Sequence, residues 1–182
     1  MTIFAETDRL VLRELLLTDV DGIYALDSDP DVHTYLGNKP LKNKAQALEV
    51  IKYIRQQYED HGIGRWAMIE KETNTFLGWT GIKLEKTPTN NYTNYYDLGY
   101  RIIKKYWGKG YATESAVASL AYGFQQLKLK DIYGAAHIDN TASNKVLTKV
   151  GMQASGEFLF DNEPHHWYHL NRDQWKRQQD LI

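Results

Sequence analysis

Two glycines one residue apart, Gly108 and Gly110, sit in the run Tyr106-Trp107-Gly108-Lys109-Gly110-Tyr111, between a stretch that reads as a strand and one that reads as a helix. A residue without a Cβ lets the backbone approach a ligand closely. The helix that follows leaves its first N–H groups unpaired and carries partial positive charge at that end. Amides and dipole together suit phosphate oxygens. Two common phosphate motifs do not fit. A nucleoside-triphosphate loop needs a leading glycine where Ile103 stands and a hydroxyl residue where Gly110 stands. A dinucleotide fingerprint needs a third glycine in place of Thr113.

A second crowd of reactive side chains is Asp161, Glu163, His165, His166 and His169. In an extended chain, Asp161, Glu163, His165 and His169 share one side, a spacing open to a divalent metal. Pro164 and the turn-like Asp161-Asn162-Glu163-Pro164 oppose that geometry. A polar hairpin with histidines facing a ligand is the reading preferred, and no metal site is expected. His33, Tyr35, Trp66, Trp79, Tyr92 and Tyr95 read either as core and surface aromatics or as the lining of a ligand pocket. Cysteine is absent, which excludes disulfides, thiolate metal sites and a thiol nucleophile. No Gly-x-Ser-x-Gly elbow offers a serine in its place.

Around these groups the pattern is one of mixed α/β layers. Arg9–Leu15 alternates as a strand, and Thr18-Asp19 caps a helix carrying Val20, Ile23, Tyr24 and Leu26. Ala45, Leu48, Ile51, Ile54 and Tyr58 mark a second helix, closed by Gly62. Strands follow at 63–70, 76–85 and 95–103, then a helix at 111–127, a strand at 131–138, a helix at 143–150, and strands near 154–160 and 167–170. The order is β-α-α-β-β-β-α-β-α-β-β, expected as a single domain over residues 1–182. With 22 Lys and Arg against 23 Asp and Glu, nothing draws the whole molecule to nucleic acid. Mean hydropathy is −0.57, and no apolar run approaches a membrane span. The first residues, MTIFAETDRLVLREL, do not read as a signal peptide. The expected location is cytoplasmic, as a monomer or homodimer.

Four segments in this order, ETDRLVLREL, DLGY, YWGKGYATES and IDNTASNKVLTKVGM, resemble the GNAT N-acetyltransferases over nearly the whole chain. The branch most resembled is the ribosomal-protein N-terminal acetyltransferases of the RimJ/RimL type. The resemblance implies the GNAT acyl-CoA N-acyltransferase fold, acetyl-CoA as donor and a primary amine as acceptor. It matches Tyr100, Arg101 and Ile102 to the splayed strand end whose backbone pairs with the pantetheine arm. It matches Trp107, Gly108, Lys109, Gly110, Tyr111 and Ala112 to the pyrophosphate loop. Asn140, Ser143 and Asn144 match a stretch beside pantetheine and thioester, and Lys145 is expected to reach a phosphate. The chain departs from the family in having Ile103-Lys104 where Asp-Pro is common, and Lys105 for a usual Gln or Arg.

Acetyl transfer to an amine needs a neutral nucleophile, a stabilised oxyanion and a protonated leaving thiolate. An α-amine of pKa near 8 is about a tenth neutral at pH 7, while a lysine is only about 0.04% neutral. The α-amine therefore needs little more than a proton path. Asp97, in the Asp-Leu-Gly-Tyr that matches the family's acid-bearing motif, is expected as base, or as an ordinary strand carboxylate. The family's tyrosine acid falls on Leu147, which leaves Ser143 as donor, as helix cap, or as both. The oxyanion is expected to meet a backbone N–H near Ile102. The acceptor expected first is a protein N-terminal α-amine; the alternatives are a small amine (a polyamine, amino acid or amine antibiotic) or a non-catalytic coenzyme-A sensor.

Overall fold

The segment Trp66–Glu70 is apolar at every position but the last. In the computed structural model, which describes residues 1–180, it is a strand buried on both faces. Side chains alternate across a strand, and here the alternation separates two cores. Trp66 and Met68 join Leu10, Leu12, Ile82, Leu98, Leu120 and Phe124 on one face. Ala67 and Ile69 join Leu15, Ile23, Ile51 and Ile54 on the other.

Along the chain run β1 (Ile3–Glu6), β2 (Leu10–Glu14), α1 (Val20–Asp27), α2 (Lys44–His61), β3 (Trp66–Glu70), β4 (Thr75–Glu85) and β5 (Tyr95–Ile102). Then come α3 (Tyr111–Gln125), β6 (Asp131–His137), α4 (Thr141–Lys149), β7 (Gln153–Phe160), β8 (Glu163–Asn171) and α5 (Arg172–Gln179). The strands form one mixed sheet in the order β1-β2-β3-β4-β5-β6-β8-β7. Helices α1 and α2 pack on the face of Ala67, while α3 packs on the face of Trp66. Every neighbouring pair is antiparallel except β5 and β6, which run parallel. A parallel pair needs a crossover, and α3 supplies it.

The mixed α/β class and the internal element order agree with expectation, and the structure adds an element at each end. Strand β1 is four residues long and pairs only with β2; it is too short for its alternation to register in the sequence. Helix α5 has a single buried residue, Trp175, which packs against Phe124, so it lacks an apolar stripe. Its start is nevertheless a capping box between Asn171 and Gln174.

Candidate active site

Strands β5 and β6 share one registered pair, Asp97 with Tyr133. Beyond it, Leu98 to Ile102 pair only with β4, so the other edge of β5 is open. Ile103 N–H is used by the Leu77 carbonyl on the β4 side. Alternation turns the Ile102 backbone toward the open edge, where its carbonyl accepts the Trp107 indole N–H at 2.7 Å. A cavity of about 1330 Å³ occupies the opening and reaches both faces of the sheet.

The glycine loop stands on the α3 side of this cavity. Gly108 and Gly110 have φ of 73° and 83°, the left-handed region that glycine enters without strain. No neighbour lies within 4 Å of where a Gly108 Cβ would sit. Gly110 is the N-cap of α3 and offers no side-chain cap, unlike Asn43, Asn140 and Asn171 at the starts of α2, α4 and α5. The first-turn amides of α3, from Tyr111, Ala112 and Thr113, border the cavity without an intrahelical acceptor. This cradle fits a diphosphate. Trp107 is half exposed beside it, and Lys109 and Lys105 lie over the Tyr106 ring.

On the opposite face, the side chains of Tyr95, Asp97, Gly99 and Arg101 alternate toward α1 and α2. Arg65, only 7% exposed, pairs with Asp97 Oδ2. Its other nitrogen donates to the carbonyls of Gly81 at 2.5 Å and Asp97 at 2.6 Å. A Cβ on Gly99 would stand 2.6 Å from the guanidinium, so this glycine makes room for the pair. Arg101 turns to the α1 side of the sheet and donates to Asp27 at 2.7 Å. Trp79 lies between the two guanidiniums, 5.3 Å from that of Arg65 and 5.0 Å from that of Arg101. His33 sits beside Asp27 at 3.8 Å; burial first, then the Arg101 charge, holds its pKa below the ordinary value.

Ser143, at the start of α4, meets β5 across the opening. Its hydroxyl lies 3.0 Å from the Tyr100 hydroxyl, which donates to the Ser143 carbonyl at 3.0 Å. Burial pushes the Tyr100 phenol well above its usual pKa. Asn140 caps α4 by accepting from Ser143 N–H at 3.1 Å. Asn144 is engaged within the protein: its amide donates to the His137 and Asn140 carbonyls, both at 2.9 Å, and accepts from Tyr168 at 2.7 Å. Lys145 borders a separate shallow groove with Lys149 and His166. The structure therefore gathers Asp97, Tyr100, Arg101, Ile102, Trp107, Gly108, Gly110, Tyr111, Ala112, Asn140 and Ser143 around one cavity, with Lys109, Asn144 and Lys145 outside its lining. Leu147 is a buried wall residue.

Of the aromatic set, His33, Tyr35, Trp79 and Tyr95 border the cavity. Trp66 instead stacks on Phe4 in the core, and Tyr92 stacks on Trp167. Among the described residues no three of His, Cys, Asp and Glu converge to hold a metal ion. Sequence reasoning missed Arg65, whose signal was a lone cation opening an otherwise apolar run. It also missed Arg9, which donates to the Lys109 carbonyl at 3.1 Å. No helix among the described residues is long and apolar enough to cross a membrane.

Comparison with known proteins adds to this geometry. Residues 9–153 match the family model described as an acetyltransferase (GNAT) domain. The chain is 30% identical over 160 residues to the uncharacterized N-acetyltransferase YoaA of Bacillus subtilis, covering 86% of this chain and 88% of that protein. Solved structures with the same fold include the ribosomal-protein-S5-alanine acetyltransferase from Vibrio fischeri (17% identity, TM-score 0.74, 94% and 97% covered). Another is the spermidine N-acetyltransferase from Vibrio cholerae in complex with CoA and spermine (16% identity, TM-score 0.75, 93% and 99% covered).

Proposed function

Because the chain belongs to the acetyltransferase (GNAT) domain family, we propose that it transfers an acetyl group from acetyl-CoA to the α-amine of a polypeptide N-terminus, in the cytoplasm and in the manner of the RimJ/RimL-type branch it resembles. The observation that carries this is the opening between β5 and β6, with an uncapped, glycine-led helix start on one side and a charged, aromatic cavity on the other. Bound acetyl-CoA supplies a thioester carbonyl, whose C–S bond breaks as the amine nitrogen bonds to carbon.

The chain's own groups divide the remaining work. The first amides of α3 and the two loop glycines hold the diphosphate, and the open edge of β5 aligns the arm behind it. A backbone N–H on that edge faces the developing oxyanion. Asp97 takes the proton from the incoming amine, directly or through water, while Arg65 fixes its orientation. The Tyr100 phenol stays protonated because burial disfavours its anion. It holds the Ser143 hydroxyl, which passes a proton to the departing sulfur and takes one back from water, so that neither hydroxyl is left as an anion.

The charge pattern favours an α-amine over a polyamine. Of the five carboxylates that line the cavity, four already have a cation: Asp27 has Arg101, Asp31 has Lys104, Glu85 has Lys83 and Asp97 has Arg65; the fifth, Asp139, is 74% exposed and has only the His137 ring, 3.9 Å away. A polycation would find one carboxylate there without a Lys or Arg partner, the exposed Asp139. An α-amine next to a carbonyl brings one titrating nitrogen that is already about a tenth neutral at pH 7. Thiol release from acetyl-CoA, followed over N-terminal peptides, free amino acids and spermidine, tests the reading. Turnover of peptides is expected; turnover of spermidine alone overturns the acceptor assignment.

A further inference from the structure

Away from the charged end, the acceptor side of the cavity is bordered by rings from five segments. Tyr35, between α1 and α2, stacks on His137 at the end of β6, with centroids 5.1 Å apart and planes 28° from parallel. His137 meets His165 of β8 edge-on at 5.3 Å. His165 contacts Phe160 of β7 at 5.7 Å. Two residues on along β8, Trp167 meets the edge of Tyr95 on β5 at 5.2 Å. All six line the cavity, and none belongs to either hydrophobic core. Trp167 and Tyr95 are 2% and 7% exposed, so they back the wall, while Tyr35 and Phe160 carry its open surface.

Several imidazole nitrogens of this wall are occupied. His137 Nδ1 accepts from Asp139 N–H at 3.1 Å, and His165 Nδ1 bonds the Glu163 carbonyl at 2.9 Å. With those nitrogens engaged, the imidazoles offer flat ring surface. The buried Trp167 indole nitrogen has no hydrogen-bond partner among the described residues.

We infer that this wall receives the side chain carried on the carbon next to the acceptor amine, so that the preferred acceptor is an α-amine bearing a bulky apolar or aromatic side chain. The inference rests on the α-amine reading above. A ring laid on ring surface removes apolar area from water and gains favourable edge and stacking contacts. A serine or glycine in the same place gains neither. Pockets of this kind discriminate by about 10- to 200-fold per small apolar increment.

The test compares two hexapeptides identical after the first residue, one starting with Phe and one with Ser, together with spermidine. The enzymes are the wild type, Phe160→Ala and Tyr35→Ala. Phe160 and Tyr35 are 48% and 36% exposed, so truncating them leaves the cores intact. The wild type is expected to favour the Phe peptide by at least about tenfold in kcat/KM, mainly through KM, and each variant to bring that ratio toward one. Equal kcat/KM for the two peptides in the wild type, or a ratio unchanged in both variants, overturns the wall and leaves the α-amine reading standing. No turnover of either peptide, whatever happens with spermidine, overturns the α-amine reading and the wall with it.

Discussion

The guanidinium of Arg9, at the entry to β2, donates to the main-chain oxygen of Lys109, inside the glycine loop and 100 residues away. The same guanidinium grips Glu114 in the first turn of α3, with Arg9 Nε donating to Oε2 at 2.7 Å. It also lies 4.4 Å over the Tyr111 ring, and Thr7 donates to Glu114 as well, at 2.5 Å. Burial works against ionising Glu114, but the bonds from Thr7 and Arg9 outweigh it and hold its pKa below the ordinary value. The first residues of the sheet thus fix the loop that has to be rigid for its amides to converge on a diphosphate. Arg9→Ala should weaken coenzyme A binding by about tenfold, the worth of one hydrogen bond to a charged group, with a smaller change in kcat. Calorimetric titration measures it; wild-type affinity would remove Arg9 as the brace.

Gly110→Val should be more severe. At φ of 83° a β-branched residue costs about 1–2 kcal/mol in the left-handed region, and the loop can relieve that only by turning away from its present course. A Cβ there would also stand 3.5 Å from the Arg9 guanidinium, in ordinary contact, so strain and not collision is the cause. Coenzyme A affinity should fall by more than tenfold while the melting temperature moves little, because Gly110 itself belongs to neither core. Tight binding by a folded Gly110→Val protein contradicts the cradle.

These two positions also mark what the sequence could reveal. Gly108, Gly110 and the Asn140 cap act within a few residues of themselves, so their signals are local and were legible. The strand bearing Asp97 and the helix bearing Ser143 were legible for the same reason, as periodicity. Arg65 and Arg9 were not, because their partners Asp97 and Lys109 lie in other strands and loops, and only the sheet order brings them together. The ring wall was legible only in part: Tyr35, Tyr95 and His165 stood among the candidates, but their meeting with His137, Phe160 and Trp167 did not show, because these residues come from segments far apart in the chain. Asn144 shows the converse. Its place in a recognisable stretch pointed toward the coenzyme, yet its amide closes the turn between β6 and α4.

Asp97→Asn should have two effects that can be measured apart. Removing the carboxylate charge leaves Arg65 nearly buried beside a neutral amide, at a cost of about 1–3 kcal/mol, read as a lower urea midpoint. Loss of a positioned base should lower kcat by about 100-fold or more. The two separate in Arg65→Lys, which keeps a cation but loses the planar fork that grips one carboxylate and two carbonyls. That variant should lose stability while keeping more activity than Asp97→Asn. Wild-type rates from Asp97→Asn across pH 6 to 9 would remove Asp97 as base and leave the proton to water.

His33 predicts how stability depends on acidity. Burial and the Arg101 charge lower its pKa from the ordinary value of 6.5, against the opposing pull of Asp27 and Asp29. Below pH 6.5 the unfolded chain therefore binds a proton that the folded chain resists. Stability is full above that pH and is lost as pH falls from 6.5 toward the lowered folded value. The loss has a structural route, since a charged His33 competes with Arg101 for Asp27, 3.8 Å and 2.7 Å away respectively. Arg101 belongs to the open end of β5, so acid should loosen the acceptor side before it reaches the cores. Urea midpoints at pH 7.5, 6.0 and 5.0 should fall more steeply for the wild type than for His33→Gln, which cannot take the proton. Parallel curves for the two proteins would show that the acid sensitivity lies in the carboxylates alone.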